Sequence, residues 1–362
     1  MIKKFSEILK IINGKNQKKV ESEHGKYPIY GSGGVMGRAD ESLCPRDTVV
    51  IGRKGNINNP LFVEEPFWNV DTAFGLVADQ EQLMPKYLYY FCKNFNFQSL
   101  STTVTIPSLT KANLLNIQLS LPTMDIQKVV VNKLDKISIL VDQYRGLLGL
   151  YDSIVKSRFI EMFGDPILNP KGWIQEELSK YSLKISDGEH TSVPRVESGI
   201  PFLNAKHILS DGEIDFSSAS FISEENHNRI FKRCNPEIND ILLTTTGTIG
   251  NTAIVKTEKE FSMDRGITLI KIDKSRINQF FLAQLLKMPS SQEWMRRNTT
   301  TATIGHLFLN KVRSFPTIIP SKSDQDDFSY FLDQITKSKL AIQKSIDELE
   351  TLKKKLMQEY FG

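Results

Sequence analysis

Arg53, Lys54 and Asn56 stand on a short loop between two apolar runs, in DTVVIGRKGNINNPLFV (47–63). A guanidinium, an ammonium and an amide make no covalent bonds here. They offer forked donors and positive charge, which suit the base edges and phosphates of a nucleic acid. The alternative is a solvated hairpin loop. A second run, DILLTTTGTIGNTAIV (240–255), repeats the strand–loop–strand pattern with Thr245, Thr246 and Thr248 on its loop. Hydroxyls serve phosphate or adaptable base contacts, and equally an ordinary threonine-rich strand end. Two further hydroxylated stretches lie beside cations: Ser101, Thr102, Thr103 with Lys111, and Thr299, Thr300, Thr301 with Lys311, the latter preceded by Arg296, Arg297 and Asn298. They fit phosphate clamping, or plain turns. Arg38 and Arg265 join the candidates, as do His190 and Arg195 in the polar turn DGEHTSVPR (187–195).

Bond-making chemistry is not legible. There is no GxxxxGK[ST] phosphate loop and no Asn-Pro-Pro-aromatic run; Asn58-Asn59-Pro60-Leu61 only echoes the latter. The run from Gly31 to Gly37 reads as a tight glycine turn rather than a dinucleotide loop. The histidines His24, His207, His227 and His306 read as ordinary surface or core residues, and no His/Cys/carboxylate spacing suggests a metal. No cofactor and no catalysis are expected.

The elements that must hold these loops come in two copies. Residues 303–362 lie on residues 105–164 at a spacing of 198 without a gap, with twelve of the sixty pairs identical, among them Pro122/Pro320, Gln127/Gln325, Leu134/Leu332 and Gly164/Gly362. A repeat that admits no insertion over such a length implies a constrained length. Each copy begins in mixed apolar sequence rich in glycine, proline and aromatics, then passes a proline into an unbroken helical pattern. The domains expected are a globe over 1–124, a helix over 125–163, a second globe over 164–320 and a second helix over 321–362.

The first helix carries Val130, Leu134, Ile137, Val141, Tyr144, Leu148, Tyr151, Val155 and Met162, and the second Phe328, Leu332, Ile335, Ile342, Ile346, Leu349, Leu356 and Tyr360. Alternating steps of four and three mark helices that pack on helices. Lys339 and Lys353 interrupt the second seam, as Arg158 does the first. The bland alternative is two amphipathic helices lying on their own globes. If they pair, they run antiparallel with the globes at opposite ends of a pseudo-twofold pair. A helix over 125–162 is ~57 Å long, about one and a half turns of duplex DNA. Each globe is expected to be α+β with a curled, mostly antiparallel sheet, and the helix at 84–98 to match that at 278–292.

Net charge is +4, yet residues 1–60 hold eleven Lys/Arg against six Asp/Glu, a local +5. That concentration fits a polyanion partner. Cys44, Cys92 and Cys234 read as reduced thiols. No apolar stretch reaches a membrane span, and MIKKFSEILK does not read as a secretion signal, so a cytoplasmic location is expected.

In order and duplication, KYPIYGSGGVMG (26–37), DTVVIGRKGN (47–56), DGEH (187–190), GIPFLNAKHI (199–208), NDILLTTTGTIGN (239–251), and the helix ends RFIEMFGDP (158–166) and KLMQEYFG (355–362) resemble the specificity subunits of type I restriction–modification systems. The resemblance covers essentially the whole chain. It implies two target recognition domains separated by two antiparallel coiled-coil helices. It implies a double-stranded DNA target in two parts with a fixed gap, two modification (methyltransferase) subunits docked around the helices, and restriction subunits joining that assembly. The first globe lacks the DGEH segment of the second, so the heads are expected to read different sequences. A type IIB-like fused enzyme could use the same subunit. Outside this machinery stand a two-headed protein adaptor, which would show no salt-dependent DNA affinity, and an enzyme, which would need a cofactor pocket.

Overall fold

The computed structural model describes residues 1–100, 108–300 and 305–362. The chain divides into two compact units: unit 1 comprises Met1–Gly146 with Ile342–Gly362, and unit 2 comprises Leu147–Ala341. Each therefore takes in part of both long helices.

Unit 1 begins with β1 (Ile2–Lys4), α1 (Phe5–Ile8), β2 (Leu9–Asn13), β3 (Tyr27–Gly31), β4 (Gly34–Ala39) and β5 (Thr48–Gly52). There follow β6 (Leu61–Val63), β7 (Trp68–Asn69), β8 (Ala73–Ala78), α2 (Pro85–Asn94), α3 (Lys111–Leu115), β9 (Gln118–Ser120) and the helix α4 (Met124–Phe163). Three sheets result, ordered β1-β9, β2-β8-β5-β6 and β4-β3-β7. The four-stranded sheet is antiparallel throughout, and β5 and the first half of β8 are buried along their length. The glycine turn expected at 31–37 joins β3 to β4, with Gly34 at φ +118°.

Unit 2 contains β10 (Ile174–Glu177), β11 (Ser182–Asp187), β12 (Ile200–Leu203), β13 (Ser220–Ile222), α5 (Glu224–Phe231), β14 (Ile241–Thr244) and β15 (Thr252–Ile254). It continues with β16 (Ser262–Met263), β17 (Ile267–Ile272), α6 (Gln279–Lys287), α7 (Pro289–Arg297), α8 (Leu309–Arg313), β18 (Pro316–Ile319) and α9 (Lys322–Phe361). Its sheets are β10-β18, β11-β17-β14-β15 and β13-β12-β16. Both three-stranded sheets pair one strand antiparallel and one parallel. The topologies of the two units are the same, so the duplication reaches the globes, where the sequence shows it only in part. The matched helices are shorter than 84–98 and 278–292: α2 stops at Asn94, and Pro289 divides the second into α6 and α7.

Both long helices hold forty residues and start and stop 198 positions apart. Their N-termini are pinned by the same residue. Gln127 is fully buried; its Oε1 accepts from Met84 N (2.8 Å) and its Nε2 donates to Gln82 O and Pro122 O. Gln325 repeats this with Asn278 N (2.8 Å), Arg276 O and Pro320 O. Each glutamine thus ties a helix start to the cap of α2 or α6. Leaving such buried groups unpaired is costly.

Within unit 1, α4 and the end of α9 run antiparallel: Lys133 donates to Tyr360, Lys353 to Ser138, and Arg145 pairs with Glu350. Leu134, Ile137, Val141 and Ile346 are buried there, while Tyr144, Ile342 and Leu349 are half-buried. Within unit 2, Lys339 reaches Asp152 at 2.8 Å, and Leu332 and Ile335 pack on the core while Leu148 is half-buried. The seam lysines therefore find partners on the facing helix. The seam itself departs from the expected one near its end. Phe159 and Phe163, absent from the heptad reading, are fully buried and pack ring against ring on Phe281 and Phe328, mostly edge-on, whereas Met162 is only partly buried.

Candidate functional site

In each unit the C-terminal end of the first sheet strand, the start of the second and the end of the third share one edge of the four-stranded sheet, because the strands alternate in direction. Three loops therefore converge there, and backbone hydrogen bonds set residue against residue. Gly14 N donates to Ala73 O at 3.2 Å, as Gly188 N does to Ile267 O at 3.1 Å. Lys15 N meets Asn69 O as Glu189 N meets Met263 O. Arg53 N donates to Thr72 O (2.7 Å) and Thr245 N to Gly266 O (2.8 Å). Leu109 N then donates to Arg53 O, and Leu307 N to Thr245 O, both at 2.9 Å. Isolated bridges pair Lys54 with Ser108 and Thr246 with His306. Gly55 and Gly247 turn the two loops at φ +74° and +73°, a left-handed conformation that side chains resist.

The equivalences correct several sequence readings. Asn13-Gly14-Lys15-Asn16 occupies the place of Asp187-Gly188-Glu189-His190, so the segment thought missing from the first globe is present with other side chains. A Cβ on Gly14 or Gly188 would strike backbone carbonyls, which explains the one residue the segments share. Asp47 matches Asn239, both at positive φ, rather than Asp240. At the 198 spacing Lys111 matches Leu309, not Lys311.

The sequence-selected residues fall into three groups. Arg53, Lys54 and Asn56 are exposed together on the unit 1 loop, with the Arg53 guanidinium 5.8 Å from the Phe74 ring centre. In unit 2, Thr246, Thr248, Arg265 and His190 lie at the sheet end, and His190 Nε2 is 2.7 Å from Asp187 Oδ2. Arg296, Arg297 and Thr300 flank that loop, the first and last beside an open cavity of about 640 Å³ also lined by Gly247, Gln292 and Glu293. Both arginines are already bonded to Glu293, at 2.6–2.7 Å. Lys311 is exposed on α8.

The second group is bonded to backbone carbonyls. Thr245 is buried and its hydroxyl meets Gly266 O, so it cannot reach a ligand. Arg38 closes on the carbonyls of Gly25 and Lys26, and Lys111 donates to Ile11 O. In unit 2 that last role passes to Arg313, which donates to Ile185 O. Arg195 donates to Val193 O and stacks 4.2 Å from the centre of Phe202. All four make backbone contacts, but Arg38, Lys111 and Arg195 remain exposed. The third group, Thr102 and Thr103, with Ser101 and Thr301 beside the other candidates, lies outside the described residues.

Two residues were missed. Lys15 is exposed at the unit 1 sheet end, where only the basic run around it gave a signal. His306 was set aside as ordinary, yet its Nδ1 lies 2.7 Å from Thr246 Oγ1. Burial, Arg265 and His190 hold its imidazole below the usual pKa, with Asp187 opposing. Glu189, by contrast, faces inward: burial works against its charge, but hydrogen bonds from Thr191 and the charge of Arg229 carry its carboxyl down to about 2.

The chemistry of these ends is donation and charge. Among the described residues no group of three His, Cys, Asp or Glu could hold a metal ion, and no helix is long and apolar enough to cross a membrane.

The sequence model of the type I restriction modification DNA specificity domain matches residues 1–144 and 190–351. The specificity subunit of the type I restriction enzyme EcoBI from Escherichia coli is 22% identical over 333 residues, covering 84% of this chain and 70% of that protein. A putative type I restriction enzyme specificity subunit of Haemophilus influenzae, S.HindORF215P, is 23% identical over 356 residues, covering 92% and 86%. In fold, the crystal structure of the S subunit of a type I restriction–modification system from M. genitalium superposes with a TM-score of 0.60 at 16% identity, covering 100% of this chain and 96% of that one. A chain from a structural study of complex assembly and conformational transition of the type I system gives 0.60 at 15% identity, covering 100% and 97%.

Proposed function

Since the chain belongs to the type I restriction–modification DNA specificity family, we propose that it reads a bipartite, asymmetric DNA target, one block for each unit, separated by a fixed gap, and carries out no catalysis itself. The observation that carries this reading is the pair of sheet ends: one backbone, bonded alike in both units, with unlike side chains displayed on it. A scaffold built twice with different contact residues suits two different short sequences. Phosphates would be met by the cations of unit 1 and by hydroxyls and Arg265 in unit 2, and base edges by the loop residues.

The helices are the elements that would set the gap, since both are forty residues long and begin at the same buried glutamine. Both keep apolar side chains exposed: Ile126, Val129, Ile139, Leu150 and Ile154 on α4, and Tyr330, Leu340 and Leu352 on α9. Exposed apolar residues of this kind fit docking by partner proteins. On this reading those are two methyltransferase subunits, which restriction subunits then join.

The test is footprinting of the full chain with its modification subunit. Two protected blocks with a constant gap are expected. Inserting four residues, roughly one helical turn, at matched places in both helices should change the gap and leave both blocks. A gap that stays the same after the insertion would overturn the ruler.

A further inference from the structure

We propose that His306 reads a base edge for unit 2, from the same backbone bridge that places Lys54 in unit 1. This rests on the DNA-reading function above and names a residue through which it acts. The two bridges are built alike but equipped in reverse. In unit 1 the loop supplies Lys54 and the facing segment Ser108; in unit 2 the loop supplies Thr246 and the facing segment His306. A nitrogen donor and a hydroxyl have changed sides, and each bridge retains one of each. Bridging uses backbone atoms and makes no demand on side chains. The retention therefore points to a ligand that needs a nitrogen donor at this place.

The unit 2 geometry sets the imidazole for that task. Thr246 Oγ1 stands 2.7 Å from Nδ1. The His306 backbone is clasped by Thr300, whose N donates to His306 O while its Oγ1 accepts from His306 N, both at 3.1 Å. The ring meets Phe308 edge-on at 4.8 Å. The ring also has a hydrogen bond with the Thr245 backbone, and a neutral imidazole keeps one donor and one acceptor nitrogen in either tautomer. The charged and titratable groups facing the ring are Arg265, His190 and Asp187, and with burial their balance favours the neutral form. A neutral imidazole suits a donor or an acceptor on a base edge and adds nothing to phosphate attraction.

The experiment selects from a library of randomised duplexes about three helical turns long, using the full-length wild-type chain, His306→Gln and Thr246→Val, each in complex with the modification subunit and checked for an unchanged thermal melt. The wild type should select two blocks. His306→Gln should lose roughly tenfold to a hundredfold preference at one position of one block, with the dependence of affinity on salt unchanged. Thr246→Val should weaken the same position by less, since the ring remains but loses its hydroxyl partner. Selection by His306→Gln identical to wild type would overturn the proposal. So would a fall of about one in the salt slope, the mark of a lost phosphate contact. A wild type that selects no sequence would instead remove the DNA-reading function, and this proposal with it.

Discussion

The sheet end of unit 1 and that of unit 2 share their hydrogen bonds and almost nothing else. Unit 1 displays Lys15, Arg53 and Lys54. At the matching places unit 2 has Glu189, Thr245 and Thr246: the carboxylate is buried against Thr191 and Arg229, and Thr245 is buried too. Asp71 in unit 1 is matched by Arg265 in unit 2. One end is a cationic surface, while the other offers hydroxyls, imidazoles, Arg265 and the pair Arg296 and Arg297 already bonded to Glu293. The difference teaches that backbone geometry here is the constant and contact chemistry the variable. Binding by unit 1 should therefore lean on phosphate charge and be the more salt-sensitive.

The comparison breaks first at the scaffold. If the two units are one design, the two glutamine anchors should be worth the same. Gln127→Ala and Gln325→Ala each remove buried hydrogen bonds and orphan a helix-cap N–H, at a cost of about 2–3 kcal/mol. Hydrogen exchange should show the loss in unit 1 for the former and in unit 2 for the latter. A loss confined to one variant would mean that the second anchor is incidental.

A smaller effect sharpens the contrast in charge. Glu293 occupies both Arg296 and Arg297 with charge-assisted bonds. Glu293→Gln should free them and raise affinity for the unit 2 block by roughly threefold to tenfold, with a steeper salt dependence. Unchanged affinity would remove the arginine pair from the DNA contact.

Much of this was legible in the sequence, for identifiable reasons. The helices could be read because Leu134, Ile137, Val141 and their counterparts repeat with helical period and because a fixed spacing of 198 joins them. The two loops could be read because β-branched runs around Gly55 and Gly247 specify a strand, a turn and a strand. What could not be read depends on register between distant segments. The match of Lys15 with Glu189 is set by bonds to Asn69 and Met263, some fifty to seventy-five residues downstream. The role of His306 depends on a bridge to a loop sixty residues upstream. That Arg38, Lys111 and Arg195 each close on a backbone carbonyl could not be read, because composition reveals a cation but not its acceptor. The identity of Gln127 with Gln325 was visible, but their clamps on α2 and α6 were not. Phe159 and Phe163 escaped the heptad count because α4 there packs at once on Phe328 of α9 and on Phe281 of the globular core.

The most direct test of the central claim, two unlike readers on one repeated scaffold, is to map the DNA sequence selected by the full chain and by Arg53→Ala/Lys54→Ala. The account predicts two different short blocks with a constant gap. In the double variant, base preference should be lost in one block only, and the salt slope should fall by about two. A single block, two identical blocks, or equal loss of preference in both would contradict it.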